Sequence, residues 1–179
     1  MKKYLMSLIF LLMSIGMAHA QEETSNLTPY EIAQQRIAEA EASGATELNL
    51  SFSQLTELPS EIGNLTNLTH LELGGNALTS LPREIGNLSN LTYLALSRNT
   101  LTSLPPEISN LNNLTDLFLH DNELSSLPSE ISNLSNLTFF SLSENDLRSL
   151  PSEIGNLNNL THLDIYNNQL DSLTLEIGS

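Results

Sequence analysis

One spacing governs this chain, and it is 23 residues. Asn76, Asn99, Asn122, Asn145 and Asn168 keep it, and so do Leu78, Leu101, Leu124, Leu147 and Leu170. Pro82, Pro105, Pro128 and Pro151 take the same step, as do Ile85, Ile108, Ile131, Ile154 and Ile177. Units begin at Ala45, Leu68, Leu91, Leu114, Leu137 and Leu160, and the last stops at Ser179, three residues short of the full period. A unit this short cannot bury its apolar face alone. It must stack on its neighbours, which makes the chain a solenoid with one continuous core.

The unit 68–90 reads LTHLELGGNALTSLPREIGNLSN, with apolar residues at positions 1, 4, 6, 11, 14, 18 and 21 and Asn at position 9. Positions 3 to 7 alternate outward and inward, which predicts a short strand. Parallel pairing would then stack the units about 4.8 Å apart. Leu-Pro-x-Glu-Ile at positions 14 to 18 predicts a short helical segment, with Pro at its first position and Glu in its first turn. The Asn falls at an inward-facing turn. Its amide both donates and accepts, so a column of Asn76, Asn99, Asn122, Asn145 and Asn168 can satisfy backbone groups that lack regular partners. The first unit has Ser53 at this position, which predicts a less tightly held turn.

The pattern LxxLxLxxNxL at 68–78, 91–101 and 114–124, with Phe140 for one Leu in 137–147 and Ile165 for another in 160–170, resembles the leucine-rich repeat family. The continuation LPxxIxxLxxL is similar to its 23-residue bacterial class. The resemblance implies an α/β solenoid: a curved horseshoe with a parallel sheet on the concave side and short helical segments on the convex side. It also implies binding of other proteins on the concave side.

The ends read differently from the repeats. Met1-Lys2-Lys3, an apolar run over 4–17 and Ala18-His19-Ala20 together have the layout of a cleaved secretory signal peptide. The expected organisation is therefore a signal peptide (1–20), an N-terminal segment with a capping helix (21–44) and the repeats (45–179), in an exported, stand-alone protein of the periplasm, cell surface or medium. Thr28-Pro29-Tyr30-Glu31 is a capping box opening a helix over 28–42, and Gly44 stops it. Tyr30, Ala33, Ile37 and Ala40 share one face, expected to cover the open edge of the first unit; a partner-binding helix is the alternative. At the other end Thr174 replaces Pro, and Leu163, Ile165, Leu170, Leu173 and Ile177 would leave an apolar edge. Self-association through that edge, a frayed last unit and a truncation are the options.

Composition narrows function. After residue 20 the chain has four Arg and no Lys against 21 acids, a net charge of −17. Such a chain is a poor ligand for nucleic acid or anionic membrane. With no Cys, a disulfide framework, a Cys-based zinc site and a thiol nucleophile are excluded. No His-x-x-x-His, GxSxG or phosphate-cradling glycine loop occurs, so no enzyme activity and no cofactor are expected. The Asn-Leu-Ser/Thr sequons follow from the phase of the repeat and carry little information of their own.

Variation concentrates at positions 3, 5 and 7, where strand side chains face solvent. They hold His70, Glu72, Tyr93, Asp116, Phe118, His120, Phe139, His162, Asp164 and Tyr166, including every His after residue 20. Aromatics amid polar groups are typical interface anchors. The expectation is one patch of Tyr93, Phe118 and Phe139, ringed by His70, Glu72, Asp116, His120, His162 and Asp164, that binds a protein. Glycan stacking on the same aromatics is the alternative. Asp121, Glu123, Glu144 and Asp146 form an acidic rim, read as solvated, although a weak Ca2+ site is conceivable. The Glu ladder at position 17 supports the helical starts and is not a binding stripe.

Overall fold

The computed structural model describes residues 27–171. Six strands, β1 (Glu47–Asn49), β2 (His70–Glu72), β3 (Tyr93–Ala95), β4 (Asp116–Phe118), β5 (Phe139–Ser141) and β6 (His162–Asp164), form one parallel sheet in chain order. Every paired residue is 23 away from its partner, from Glu47↔His70 to Ser141↔Asp164. The sequence period is thus the sheet register, and each unit is one coil.

Each strand is three residues long, at positions 3 to 5. Position 6 is still buried, as the alternation predicts, and its N–H still reaches the next coil: Leu50 N–H donates to Glu72 O at 2.8 Å. The chain then bends at position 8, where Phe52, Gly75, Arg98, Asp121, Glu144 and Asn167 all have φ between 50° and 67°. Left-handed backbone at that one position ends every strand.

On the opposite face, Ser60–Asn64, Arg83–Asn87, Pro106–Asn110, Ser129–Asn133 and Ser152–Asn156 are single-turn 3-10 segments. The Pro expected at their first helical position lies one residue earlier. Pro59, Pro82, Pro105, Pro128 and Pro151 are N-caps with φ between −56° and −67° and extended ψ. The ring fixes φ and cannot donate, so it holds the entry strand straight and leaves the turn to begin after it. Gly63 and Gly86 allow close stacking here. A Cβ on Gly63 would lie 2.7 Å from Glu84 Cβ, and one on Gly86 would collide with the Glu107 carbonyl.

Between sheet and 3-10 segments runs a column of apolar side chains, nearly all fully buried from Leu50 through Leu147, with Phe140 in a leucine place. Three polar ladders flank it. In the first, the position-9 Asn bridges two coils. Asn122 Nδ2 donates to Leu96 O (3.1 Å) of the previous coil and to Leu119 O (3.0 Å) of its own, while its Oδ1 accepts from Leu101 N–H (3.0 Å). Asn76, Asn99, Asn145 and Asn168 repeat the scheme. The second ladder is a threonine at position 2. Thr69, Thr92, Thr115, Thr138 and Thr161 each donate Oγ1–H to the carbonyl 23 residues back, at 3.0–3.1 Å. In the third, Asn90, Asn113, Asn136 and Asn159 each donate Nδ2–H to the carbonyl 24 residues back. The Asn-Leu-Thr sequons therefore have a structural cause: both polar residues tie adjacent coils together.

The first turn, with Ser53 in the Asn place, is held from its neighbour. Asn76 Oδ1 accepts from the N–H groups of Ser53 (2.9 Å) and Leu55 (3.1 Å). It differs from the other turns in having a second left-handed residue, Gln54, beside Phe52.

Helix α1 (Pro29–Ser43) closes the N-terminal end of the column. Thr28 caps it: Glu31 N–H donates to Thr28 Oγ1 (3.2 Å) and Thr28 N–H to Glu31 Oε2 (2.8 Å). Gly44, at φ 64°, ends it. Ala33, Ile37 and Ala40 are buried in the common core, and Tyr30 is half-buried. At the far end Leu163, Ile165 and Leu170 are only half-buried, unlike their counterparts in inner coils. Residues 1–20, Leu173, Thr174 and Ile177 lie outside the described residues.

Candidate binding surface

The outward positions of the sheet carry a continuous row of rings across five strands. His70 stacks on Tyr93 with centroids 5.7 Å apart, Tyr93 meets Phe118 at 5.1 Å, Phe118 meets Phe139 at 5.0 Å, and Phe139 stacks on His162 at 5.7 Å. The expected trio is present, but the patch is longer than expected. His70 and His162, assigned from the sequence to its polar surround, are instead its two ends. For His70–Tyr93 and Phe139–His162, which are in register, the separation of adjacent strands, about 4.7–4.9 Å, sets the spacing.

Phe118 breaks register. Four of the rings come from position 3, and Phe118 comes from position 5 because Asp116 occupies position 3 of β4. Its lateral neighbours are Ala95 and Ser141. Both are small, so the Phe118 ring can lean over the position-3 track and contact Tyr93 and Phe139 diagonally. Ring pairs of this kind contribute about 0.5–1.5 kcal/mol beyond area burial when enclosed, and less at half exposure. The row is therefore held in place before any ligand arrives.

The terminal rings are also fixed from below. The Nδ1 atoms of His70 and His162 lie 2.9 Å from Thr69 Oγ1 and Thr161 Oγ1. Those hydroxyls give their protons to Thr46 O and Thr138 O, so each imidazole Nδ1–H is the donor. His120 lies to one side, with its Nδ1 2.8 Å from Ser97 Oγ. Tyr166 stands apart from the row, 55% exposed, and its hydroxyl donates to Glu144 Oε1 at 3.2 Å.

Carboxylates border the rings. Glu72 Oε2 accepts from Asn49 Nδ2 (2.7 Å), and Thr115 Oγ1, 2.7 Å from Asp116 Oδ2 and 3.0 Å from Thr92 O, shares its one proton between the two acceptors. Asp164 flanks His162 two residues along β6. The Tyr93 phenol is pushed above its ordinary range, first by burial and then by the negative charges of Glu72 and Asp116. The acidic rim of Asp121, Glu123, Glu144 and Asp146 is separate, and among the described residues no group of three or more His, Asp or Glu is placed to hold a metal ion.

Two contributors escaped the sequence reading. A hollow of about 220 Å3 opens beside the row, lined by Phe52, Tyr93 and Phe118 together with Ala95, Arg98 and His120. Phe52 is 73% exposed. Its ring lies where a Cβ on Gly75 would be, so Gly75 makes room for it as well as supplying φ 67°. The available signal was Phe at position 8, where the other coils carry Gly, Arg, Asp, Glu or Asn.

The repeat fold has known counterparts. A family model described as a leucine-rich repeat region matches residues 47–117 and 83–179. No curated protein sequence matches the chain. Among solved structures, the leucine-rich repeat domain of the type III effector XopL is similar at 31% identity and a TM-score of 0.74, covering 80% of this chain and 51% of that one. A leucine-rich repeat protein of Leptospira interrogans is 39% identical with a TM-score of 0.62, over 78% of this chain and 42% of its own. A plant peptide hormone receptor, RGFR1 in complex with RGF2, is 32% identical with a TM-score of 0.61, over 69% of this chain and 20% of its own. The chain thus spans about half or less of these proteins' length. With six parallel coils in register and a family model matched across them, this chain belongs to the leucine-rich repeat family.

Proposed function

We propose that the chain is an exported, non-enzymatic binding module that takes a protein partner on its concave sheet. The observation that carries this reading is the row His70–Tyr93–Phe118–Phe139–His162: five rings in contact on a face that none of the described residues covers. A folded chain leaves few large apolar surfaces in water without use for them. Half-buried aromatics bordered by Glu72, Asp116, His120 and Asp164 match the anchor-and-rim composition of protein interfaces. The receptor similar to this chain was solved with its partner, which agrees with a binding role. The layout of residues 1–20 supports export. An open sheet that encloses no substrate is ill suited to catalysis.

The test compares the parent with Tyr93→Ala/Phe118→Ala. Crosslinking and mass spectrometry of the tagged protein in its native host identify the partner, and purified partner then measures affinity. Lost binding with an unchanged melting profile supports the reading, and unchanged binding defeats it. The same rings could stack on sugars with the carboxylates accepting hydroxyls, and a glycan array separates that alternative. The half-buried Leu163, Ile165 and Leu170 at the last strand support a third use, self-association, which light scattering over a concentration series would detect.

A further inference from the structure

Rings and charges alternate along the concave sheet. In β2, β4 and β6 a ring shares the outward face with a carboxylate two residues away: His70 with Glu72, Phe118 with Asp116, and His162 with Asp164. In β3 and β5 the ring is paired with a small residue, Tyr93 with Ala95 and Phe139 with Ser141. Within the ring row, carboxylates therefore recur on every second strand, about 9–10 Å apart across the sheet at the usual strand spacing, with Asp116 offset two residues along its strand from Glu72 and Asp164, and Glu47 of β1 adds a further acid beside His70. No Lys or Arg occupies any outward position of the six strands. The one ion pair among the described residues, Arg83–Glu84, lies on the convex side. Among the described residues no Lys or Arg pairs with the acids of the ring row, and after burial their charge is the second cause that raises the Tyr93 phenol.

Resting on the protein-binding reading above, we infer that this surface takes an extended, basic segment of its partner, with a cationic side chain at every third residue. Lys or Arg stems lie along the rings, which attract the cation through their π faces, and each head reaches a carboxylate. The spacing fits: a polyproline II segment advances about 3.1 Å per residue with three residues per turn, so residues three apart share one face about 9 Å apart. Rings on neighbouring strands then receive the intervening apolar side chains, with Ala95 and Ser141 leaving room beside them.

The experiment uses the purified protein and a labelled Lys-Pro-Leu repeat peptide, read by fluorescence anisotropy at about 0.15 M salt, where charges beyond roughly 8 Å are screened. A Gln-Pro-Leu repeat, a Glu-Pro-Leu repeat and a peptide of the same composition with its lysines clustered at one end are the comparisons. The expected order has the spaced basic peptide tightest and the acidic one without binding. Glu72→Gln/Asp116→Asn/Asp164→Asn should weaken the basic peptide about tenfold, as expected for three exposed ion pairs. Glu107→Gln/Glu130→Gln/Glu153→Gln removes equal charge from the convex side and should leave binding within about twofold. Equal binding of the glutamine or clustered peptide overturns the inference, and so does equal weakening by the two triple variants. If no basic peptide binds while the Tyr93→Ala/Phe118→Ala variant still loses its purified partner, this inference falls and protein binding stands.

Discussion

Asn122 is the sharpest place to test the account of stability. It is 8% exposed and makes three good hydrogen bonds: Nδ2 to Leu96 O and Leu119 O, and Oδ1 from Leu101 N–H. Asn122→Ala leaves the Leu101 N–H buried without its partner and takes one of two Asn donors from each of Leu96 O and Leu119 O, which keep Asn99 and Asn145. At about 1 kcal/mol net per bond the loss is about 3 kcal/mol. With a urea slope near 2 kcal/mol per M, the unfolding midpoint should fall by about 1.5 M. Asn168 makes the same bonds with Leu142 O, Ile165 O and Leu147 N–H in a half-buried place, where water can substitute, so Asn168→Ala should lose only about 1 kcal/mol. Asn122→Asp adds a sign. The new oxygen replaces Nδ2 and faces two carbonyl oxygens about 3 Å away, so the folded state favours the protonated acid and raises its pKa above the unfolded value of about 3.9. Relative to the parent, the variant should do best below about pH 4 and lose stability as pH rises through the folded value. Urea unfolding followed by circular dichroism measures all three variants. A loss below 1 kcal/mol for Asn122→Ala, equal losses at the two sites, or a pH-independent Asn122→Asp deficit would each refute the reasoning.

Other outcomes follow from the same structure. Gly86→Ala drives a methyl into the Glu107 carbonyl and should destabilise by about 1–3 kcal/mol in chemical unfolding, whereas Gly74→Ala, whose Cβ would sit 3.2 Å from Ser97 O, should be milder. Thr28→Ala removes the cap of α1 and should lower the melting temperature by a few degrees. The Glu31 carboxyl is held below its usual range first by the Thr28 backbone N–H and then by the Thr28 hydroxyl, so its contribution is present above the unfolded carboxylate range and fades as pH falls through the folded value; in the Thr28→Ala variant, which keeps the N–H, that acid dependence should shrink in a melting series without vanishing. The Tyr93 ring resonances should titrate later than those of a free tyrosine, and Glu72→Gln/Asp116→Asn should move them part of the way back, with burial retaining the rest.

The architecture was legible because a strict period leaves little freedom. Spacing of 23 residues became the register of every strand pair, and the amide at position 9 became the bridge that its chemistry suggested. The convex turns were harder to read. Leu-Pro-x-Glu-Ile signals a helical turn, but five residues hold only a 3-10 turn, and the rigid Pro caps it from outside. The binding surface was half legible. Alternation exposed Tyr93, Phe118 and Phe139, yet whether neighbouring rings touch depends on how side chains lean, which Ala95 and Ser141 decide from the next strands. His70 and His162 were judged by polarity, while their place in the row follows from register. Phe52 was set aside as a turn residue, because no sequence period says that position 8 bends back beside the sheet. The Thr at position 2 was hidden in a glycosylation motif, although all six coils carry it.

The asparagine bridges run in a single direction. Each amide completes the turn of the coil before it, so every coil depends on its successor and none on its predecessor for that seal. Loss of coils from the front would leave the remaining turns whole. Erosion from the back would unlatch one turn with each coil removed, giving the solenoid a vulnerable end set by chain direction alone.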